Sequence, residues 1–135
     1  MGQTPKMFAV VGVLLLALGG CGPRDSRQAV SGTVTFRGVP LEQGAIRFFP
    51  SGEAAPPSSG TVIQDGAFTV PKDHGLEPGT YRVIISSPVV MPGSARPNGS
   101  PETREQIPAR YNTASELTAE VTSKGPNRFE FKLEP

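Results

Sequence analysis

Ala29-Val30-Ser31-Gly32-Thr33-Val34-Thr35-Phe36-Arg37 is the stretch that decides the fold of this chain. Val30, Gly32, Val34 and Phe36 alternate with Ser31, Thr33, Thr35 and Arg37. A period of two puts one set on each face of a strand, whereas a helix needs apolar residues three and four apart. Val and Thr are β-branched, stiff at χ1, and suited to a pleated surface. The segment reads as a half-buried strand with one face on a core and the other in water.

The same period recurs outward from it. Gly38 to Gly44 is a turn-rich connection, after which Ile46 and Phe48 alternate with Arg47 and Phe49 until Pro50 stops the strand. Ser51 to Ser59 is a loop of Pro, Ser and Ala, and Gly60 to Gln64 is a short strand. Asp65-Gly66 marks a two-residue hairpin, because the primed turn wants positive φ at both positions. Ala67 to Val70 returns from it, and Pro71 to Pro78 leads to Thr80–Ser86, with Tyr81, Val83 and Ile85 on one face. Leu117, Ala119 and Val121, then Phe129, Phe131 and Leu133, repeat the alternation. Pro88 to Pro108, with five prolines and no aliphatic pattern, reads as a long flexible loop (88–108), unusual inside a compact domain. No stretch after Leu18 carries a helical stripe. The chain is therefore expected to be all-β over residues 29–135, as a seven-stranded antiparallel β-sandwich.

Composition excludes several classes. The 16 glycines and 15 prolines follow no G-X-Y period, which rules out collagen and suits a loop-rich β chain. Net charge is +1, and Lys6 is the one basic residue before Cys21. The surface is balanced, and no basic run interleaved with aromatics exists, so no nucleic acid is expected as a partner.

The N-terminus carries a different signal. Met7 to Leu18 has no polar side chain and follows Lys6. As a helix it reaches roughly 18 Å, well short of the ~30 Å hydrocarbon core, which fits an export signal rather than a permanent span. Leu18-Gly19-Gly20-Cys21 then resembles the lipobox of bacterial lipoproteins. That resemblance implies a lipoprotein signal peptide over 1–20, cleavage between Gly20 and Cys21, and lipidation of Cys21. Two or three acyl chains at ~0.8 kcal/mol per buried methylene make a stable anchor in the lipid bilayer. Cys21 is the only cysteine, so no internal disulfide competes for it. Residues 21–28 read as a polar tether. Gly22, which is not Asp, implies by the sorting pattern of enteric bacteria an outer-membrane address in preference to the inner membrane.

Val30 to Leu41 with Gly44-Ala-Ile-Arg-Phe48, the Gly66-Ala-Phe68 turn, and Leu76-Glu-Pro-Gly-Thr-Tyr81-Arg-Val83 resemble carboxypeptidase-regulatory-like domains. Those share the transthyretin-like (prealbumin-like) Greek-key sandwich. With the lipobox and the segment Ile107-Pro-Ala-Arg-Tyr-Asn112, the whole resembles short lipoproteins of planctomycete-type bacteria. The resemblance implies a fold and an envelope location, and it implies no activity.

Candidate sites are sparse. His74 is the only histidine, with no His/Cys spacing for a metal. Asp65, Asp73 and Glu77 do not follow a calcium-loop spacing. The serines have no Gly-x-Ser-x-Gly elbow. Some transthyretin-like proteins hydrolyse 5-hydroxyisourate with several histidines and a Tyr-Arg-Gly-Ser end, and neither is present here. No catalytic residue, metal or cofactor is expected, and the domain reads as no enzyme. Arg110, Tyr111 and Asn112, after the proline-rich stretch, are the candidate ligand contacts, although a tyrosine there also packs its ring and bonds its hydroxyl to backbone. Asn98-Gly-Ser100 matches a glycosylation sequon, which carries little weight in a bacterial lipoprotein. The expected role is a protein-interaction or surface-assembly module with an envelope protein as partner. A carbohydrate-binding module is the alternative, weakened by the absence of Trp.

Overall fold

The structure, a computed structural model, describes Gly2 and residues 25–52 and 58–135. The export signal, Gly20 and Cys21 lie outside the described residues.

The chain is all-β. Its strands are β1 (Val30–Phe36), β2 (Val39–Pro40), β3 (Gln43–Pro50), β4 (Ser59–Gln64), β5 (Ala67–Val70), β6 (Gly79–Ser86), β7 (Pro88–Ala95), β8 (Pro101–Glu105), β9 (Thr118–Val121) and β10 (Asn127–Leu133). Short 3-10 turns stand at Lys72–His74 and Ala109–Tyr111. Hydrogen bonding orders the main sheet β10-β1-β5-β4-β3-β6-β9, with β2 paired to β1 and β7-β8 forming a ribbon apart.

Alternation sets which residues are buried. Val30, Val34 and Phe36 of β1, Ile46 and Phe48 of β3, Phe68 and Val70 of β5, and Val83 and Ile85 of β6 join one core, with Phe131 and Leu133 of β10. One cluster shared by all these strands requires the sheet to curl over its own apolar face. The bend lies at the Asp65-Gly66 turn, where β4 and β5 share only the pair Gln64↔Ala67. Asp65 and Gly66 have φ of 51° and 77°, as the primed turn demands. Across the bend, the rings of Phe48 and Phe68 stand 6.3 Å apart. Burying Phe48 alone contributes about 1.5–3 kcal/mol.

The structure differs from the sequence expectation at three places. β1 and β10 run parallel, from Val30↔Asn127 to Phe36↔Leu133, so the sheet is not purely antiparallel. Alternation dictates which face is buried and carries no information on strand direction. Residues 88–108, expected to be a long flexible loop, contain the β7–β8 ribbon. Its prolines are tolerated because the strands have free edges, where a missing N–H leaves no ladder bond unmade. The body also begins before Ala29. Gln28 exchanges backbone bonds with Leu76, at 2.7 and 3.1 Å, and the Arg27 guanidinium donates to Asp73 O at 2.8 Å. Gly75 permits that approach, since a Cβ there would lie 2.1 Å from Gln28 O.

Two features fix the ends of the molecule. Tyr81, at the start of β6, donates its hydroxyl to Glu77 O at 2.8 Å, bracing the Leu76-Glu77-Pro78-Gly79 corner as a tyrosine corner does. Burial, followed by the charge of Glu77, raises the Tyr81 phenol. The Ser59 hydroxyl reaches His74 O at 2.6 Å. Residues 27–28, the Lys72–His74 turn and the start of β4 thus share one end. The Asp65-Gly66 turn, β2 and the root of the β7–β8 ribbon share the other.

Candidate functional site

A cluster of hydrogen-bonded polar side chains stands at the root of the ribbon. Ser86 closes β6, and β7 starts two residues later. The Glu105 carboxylate, ending β8, accepts from the Ser86 hydroxyl at 2.7 Å, from Ser87 N–H at 2.8 Å and from Ile107 N–H at 2.9 Å. Burial would raise its pKa, but those donors, together with the Gln106 N–H, outweigh it and hold the carboxyl below its usual range. Ser87, 2 % exposed, donates to Gln43 O at 2.5 Å and accepts from the Gln106 side chain at 2.7 Å. The ribbon is therefore pinned to β3 and β6 by one carboxylate and a serine–glutamine pair. Among the described residues no buried side-chain polar atom lacks a partner.

Around this root lie open grooves and exposed apolar side chains. One groove of about 430 Å³ is lined by Gln43, Ala45, Val62, Gln64 and Pro88. A second, of about 310 Å³, lies beside Glu42, Ser87, Val89, Val90 and Gln106. Val62 and Val90 are each 60 % exposed, and Val89 and Met91 are also exposed. Surface valines scattered singly mean little, but these border contiguous grooves. The lining supplies amides, a hydroxyl, methyl groups and the Glu42 carboxylate. It offers hydrogen bonds and apolar contact, with no nucleophile–base pair.

The residues singled out in the sequence fall elsewhere. Arg110 donates to the main-chain oxygens of Glu134 and Pro135 at 2.7 and 2.6 Å and stands 4.9 Å from the centre of the Tyr111 ring. The Tyr111 hydroxyl accepts from Glu134 N–H at 3.2 Å, and Arg110 and that N–H hold the phenol below its usual pKa. Asn112 follows the 3-10 turn, its N–H bonded to Ala109 O at 3.0 Å. Arg110 and Tyr111 clasp the C-terminal end of β10, while Asn112 ends the turn.

His74 is exposed and, among the described residues, pairs only with the neighbouring Asp73, at 3.6 Å. Asp65 sits at the opposite end of β5 from Asp73. Among the described residues no three His, Cys, Asp or Glu side chains are grouped to hold a metal, and no helix is long and apolar enough to cross a membrane. Asn98 is spent on its own turn, accepting from the Ser100 N–H at 3.1 Å and hydroxyl at 2.6 Å at the ribbon tip.

Glu105, Ser87, Gln43 and Gln106 were not legible beforehand. Isolated polar residues at the borders of a proline-rich stretch carry no periodicity, and only the fold brings 43, 87 and 105 together. Comparison with protein families, with known proteins and with solved structures gives no match to this chain.

Proposed function

We propose that the chain is an exported lipoprotein, anchored to the cell envelope through acylated Cys21, whose β-domain is a non-catalytic protein-interaction or surface-assembly module. The finer architecture assigned to it is a Greek-key, transthyretin-like sandwich of β10-β1-β5 over β4-β3-β6-β9. The carboxypeptidase-regulatory-like kinship, the outer-membrane address and the envelope protein as partner belong to the same reading.

One observation carries it: tether and apolar ribbon occupy opposite ends. The chain enters at Gln28 beside the Lys72–His74 turn, and Val89, Val90 and Met91 are exposed on the ribbon rooted at the far end. Cys21 stands seven residues before Gln28, a reach of at most roughly 25 Å. An anchor there keeps the Gln28 end near the bilayer and presents the ribbon outward. The lipid is held by the anchor alone, and the domain is left free to meet a protein. Carbohydrate binding is disfavoured by both tyrosines, whose hydroxyls are bonded to backbone and whose rings form no exposed platform. Catalysis is disfavoured because, among the described residues, the His74 ring pairs with Asp73 while the nearby Ser59 hydroxyl is bonded to the His74 backbone and not to the ring.

Intact-mass spectrometry of the protein from native membranes, beside a Cys21→Ser variant, tests the anchor. The expected result is a chain starting at Cys21 with added acyl mass, absent from the variant. An unmodified chain would refute the anchor, and failure of crosslinking to capture any envelope protein would refute the module.

A further inference from the structure

A strand edge presents unpaired N–H and C=O groups and templates pairing with another chain, so natural edges are guarded. Most edges here carry a guard. β10 bears Arg128, Glu130 and Lys132, all exposed. β9 is four residues long and bears Glu120, and β5 is four residues long and is closed by Pro71. In the ribbon, β7 bears Pro88 and Pro92, and β8 bears Pro101, Glu102 and Arg104.

β4 has no such guard. Ser59-Gly60-Thr61-Val62-Ile63-Gln64 has no charge and no proline. It pairs with β3 without a bulge from Phe48↔Ser59 to Gln43↔Gln64. On its other side only Gln64 is paired, to Ala67, and among the described residues no strand lies beyond Ser59 to Ile63. Val62 stands 60 % exposed on this strand. Two open grooves lie along the outer face of the β3–β4 pair, one lined by Gln43, Ala45, Val62, Gln64 and Pro88 and the other by Arg47, Ser59, Gly60 and Val62. A strand added at the free edge lays its outward side chains beside that face, next to Val62 and next to Arg47, whose stem lies over Gly60 across the pair.

We propose that an extended segment of a partner protein adds to the free edge of β4, with an apolar β-branched side chain beside Val62 and a carboxylate beside Arg47. The charge pattern selects this chemistry. The groove at the Gln64 end is lined by amides and apolar atoms, whereas Arg47, lining the other groove, pairs with no carboxylate among the described residues. Cross-strand contact of β-branched residues and an opposite-charge pair each favour such addition. A second copy suits the edge less well. Antiparallel self-pairing of β4 would turn the two Gln28 ends in opposite directions, against two anchors in one membrane face; this comparison rests on the anchoring proposed above.

The test pans a display library of random linear heptapeptides against the full chain in detergent micelles. Enriched peptides are expected to alternate β-branched and polar residues with Asp or Glu near one end, and to slow amide exchange between Gly60 and Ile63. Val62→Lys should fold with an unchanged melting curve and lose at least tenfold in affinity. Arg47→Glu should lose the acid-bearing peptides, while Val39→Lys, at an equally exposed valine, should bind as the parent does. Enrichment of nothing, or equal binding by Val62→Lys, overturns the proposal. Sedimentation of the parent as a dimer broken by Val62→Lys also overturns it, in favour of self-pairing. Binding should persist in Cys21→Ser, so failure of the anchor leaves this test intact.

Discussion

Replacing Glu105 should release the ribbon while leaving the main sheet folded. Glu105→Ala removes the acceptor of three donors at 2.7, 2.8 and 2.9 Å, two of them backbone N–H groups of the buried residues Ser87 and Ile107. A hydrogen bond to a charged group is worth about 1.5–3 kcal/mol, and an orphaned buried donor costs about 1–3 kcal/mol. Glu105 is itself exposed, so water replaces part of what is lost, and the net cost is about 2–3 kcal/mol. Local opening then becomes roughly 30- to 150-fold more frequent, at ~1.4 kcal/mol per tenfold. Native-state amide exchange at Ser87 and Ile107 reads this directly. Glu105→Gln keeps one acceptor oxygen and should cost only about 1 kcal/mol. The pH dependence has a definite sign. The folded carboxyl titrates below its ordinary value of 4.5, so its stabilisation is complete above that value and is lost as pH falls through the folded pKa. The acid-dependent loss should be missing in Glu105→Gln. Exchange at Ser87 and Ile107 unchanged within twofold in Glu105→Ala would refute the reasoning.

Two further outcomes follow from the packing and the tyrosines. Gly32→Ala should destabilise the domain by about 3 kcal/mol or more by overpacking, because its Cβ would lie 2.0 Å from Phe129 O and 2.8 Å from the Phe68 ring; a urea midpoint equal to the parent's would contradict this. Spectrophotometric titration should resolve two phenols, Tyr111 ionising below the ordinary value and Tyr81 above it, with Tyr81→Phe deleting the upper step. Because unfolded Tyr81 ionises more readily than folded Tyr81, its contribution to stability should fall as pH rises through the ordinary phenol range, while that of Tyr111, whose folded phenol ionises more readily, should rise; the difference between the parent and Tyr81→Phe reads the first. A single merged transition would show that the two environments do not differ.

What the sequence revealed depended on periodicity. Val30, Val34, Ile46, Phe48, Val83 and Ile85 are core residues because alternation encodes burial, and Asp65-Gly66 is a hairpin because two positive φ angles demand those residues. Direction and partner are not encoded that way. Nothing in Phe129-Glu130-Phe131 distinguishes a parallel neighbour from an antiparallel one. Pro88, Pro92, Pro97 and Pro101 argued against strands between them, and that rule fails on a ribbon whose edges have no neighbour to satisfy. Arg110 and Tyr111 drew attention by chemistry, and the C-terminal end of β10 absorbs them locally. Gln43, Ser87 and Glu105 offered nothing to notice until the fold placed them side by side.

The parallel pairing of β1 with β10 has a consequence for how the protein comes into being. Synthesis delivers a chain from its N-terminus onward, so Val30–Phe36 emerges long before Asn127–Leu133. Until the last strand arrives, the first has its antiparallel neighbours on one edge only, and Gly32 faces no Phe129 backbone. Contacts that span the whole sequence must close a long loop before they contribute, which slows folding. Completion of the domain is thereby tied to complete delivery of the chain. A polypeptide stalled or clipped before Asn127 stays open along β1, where proteases can reach it.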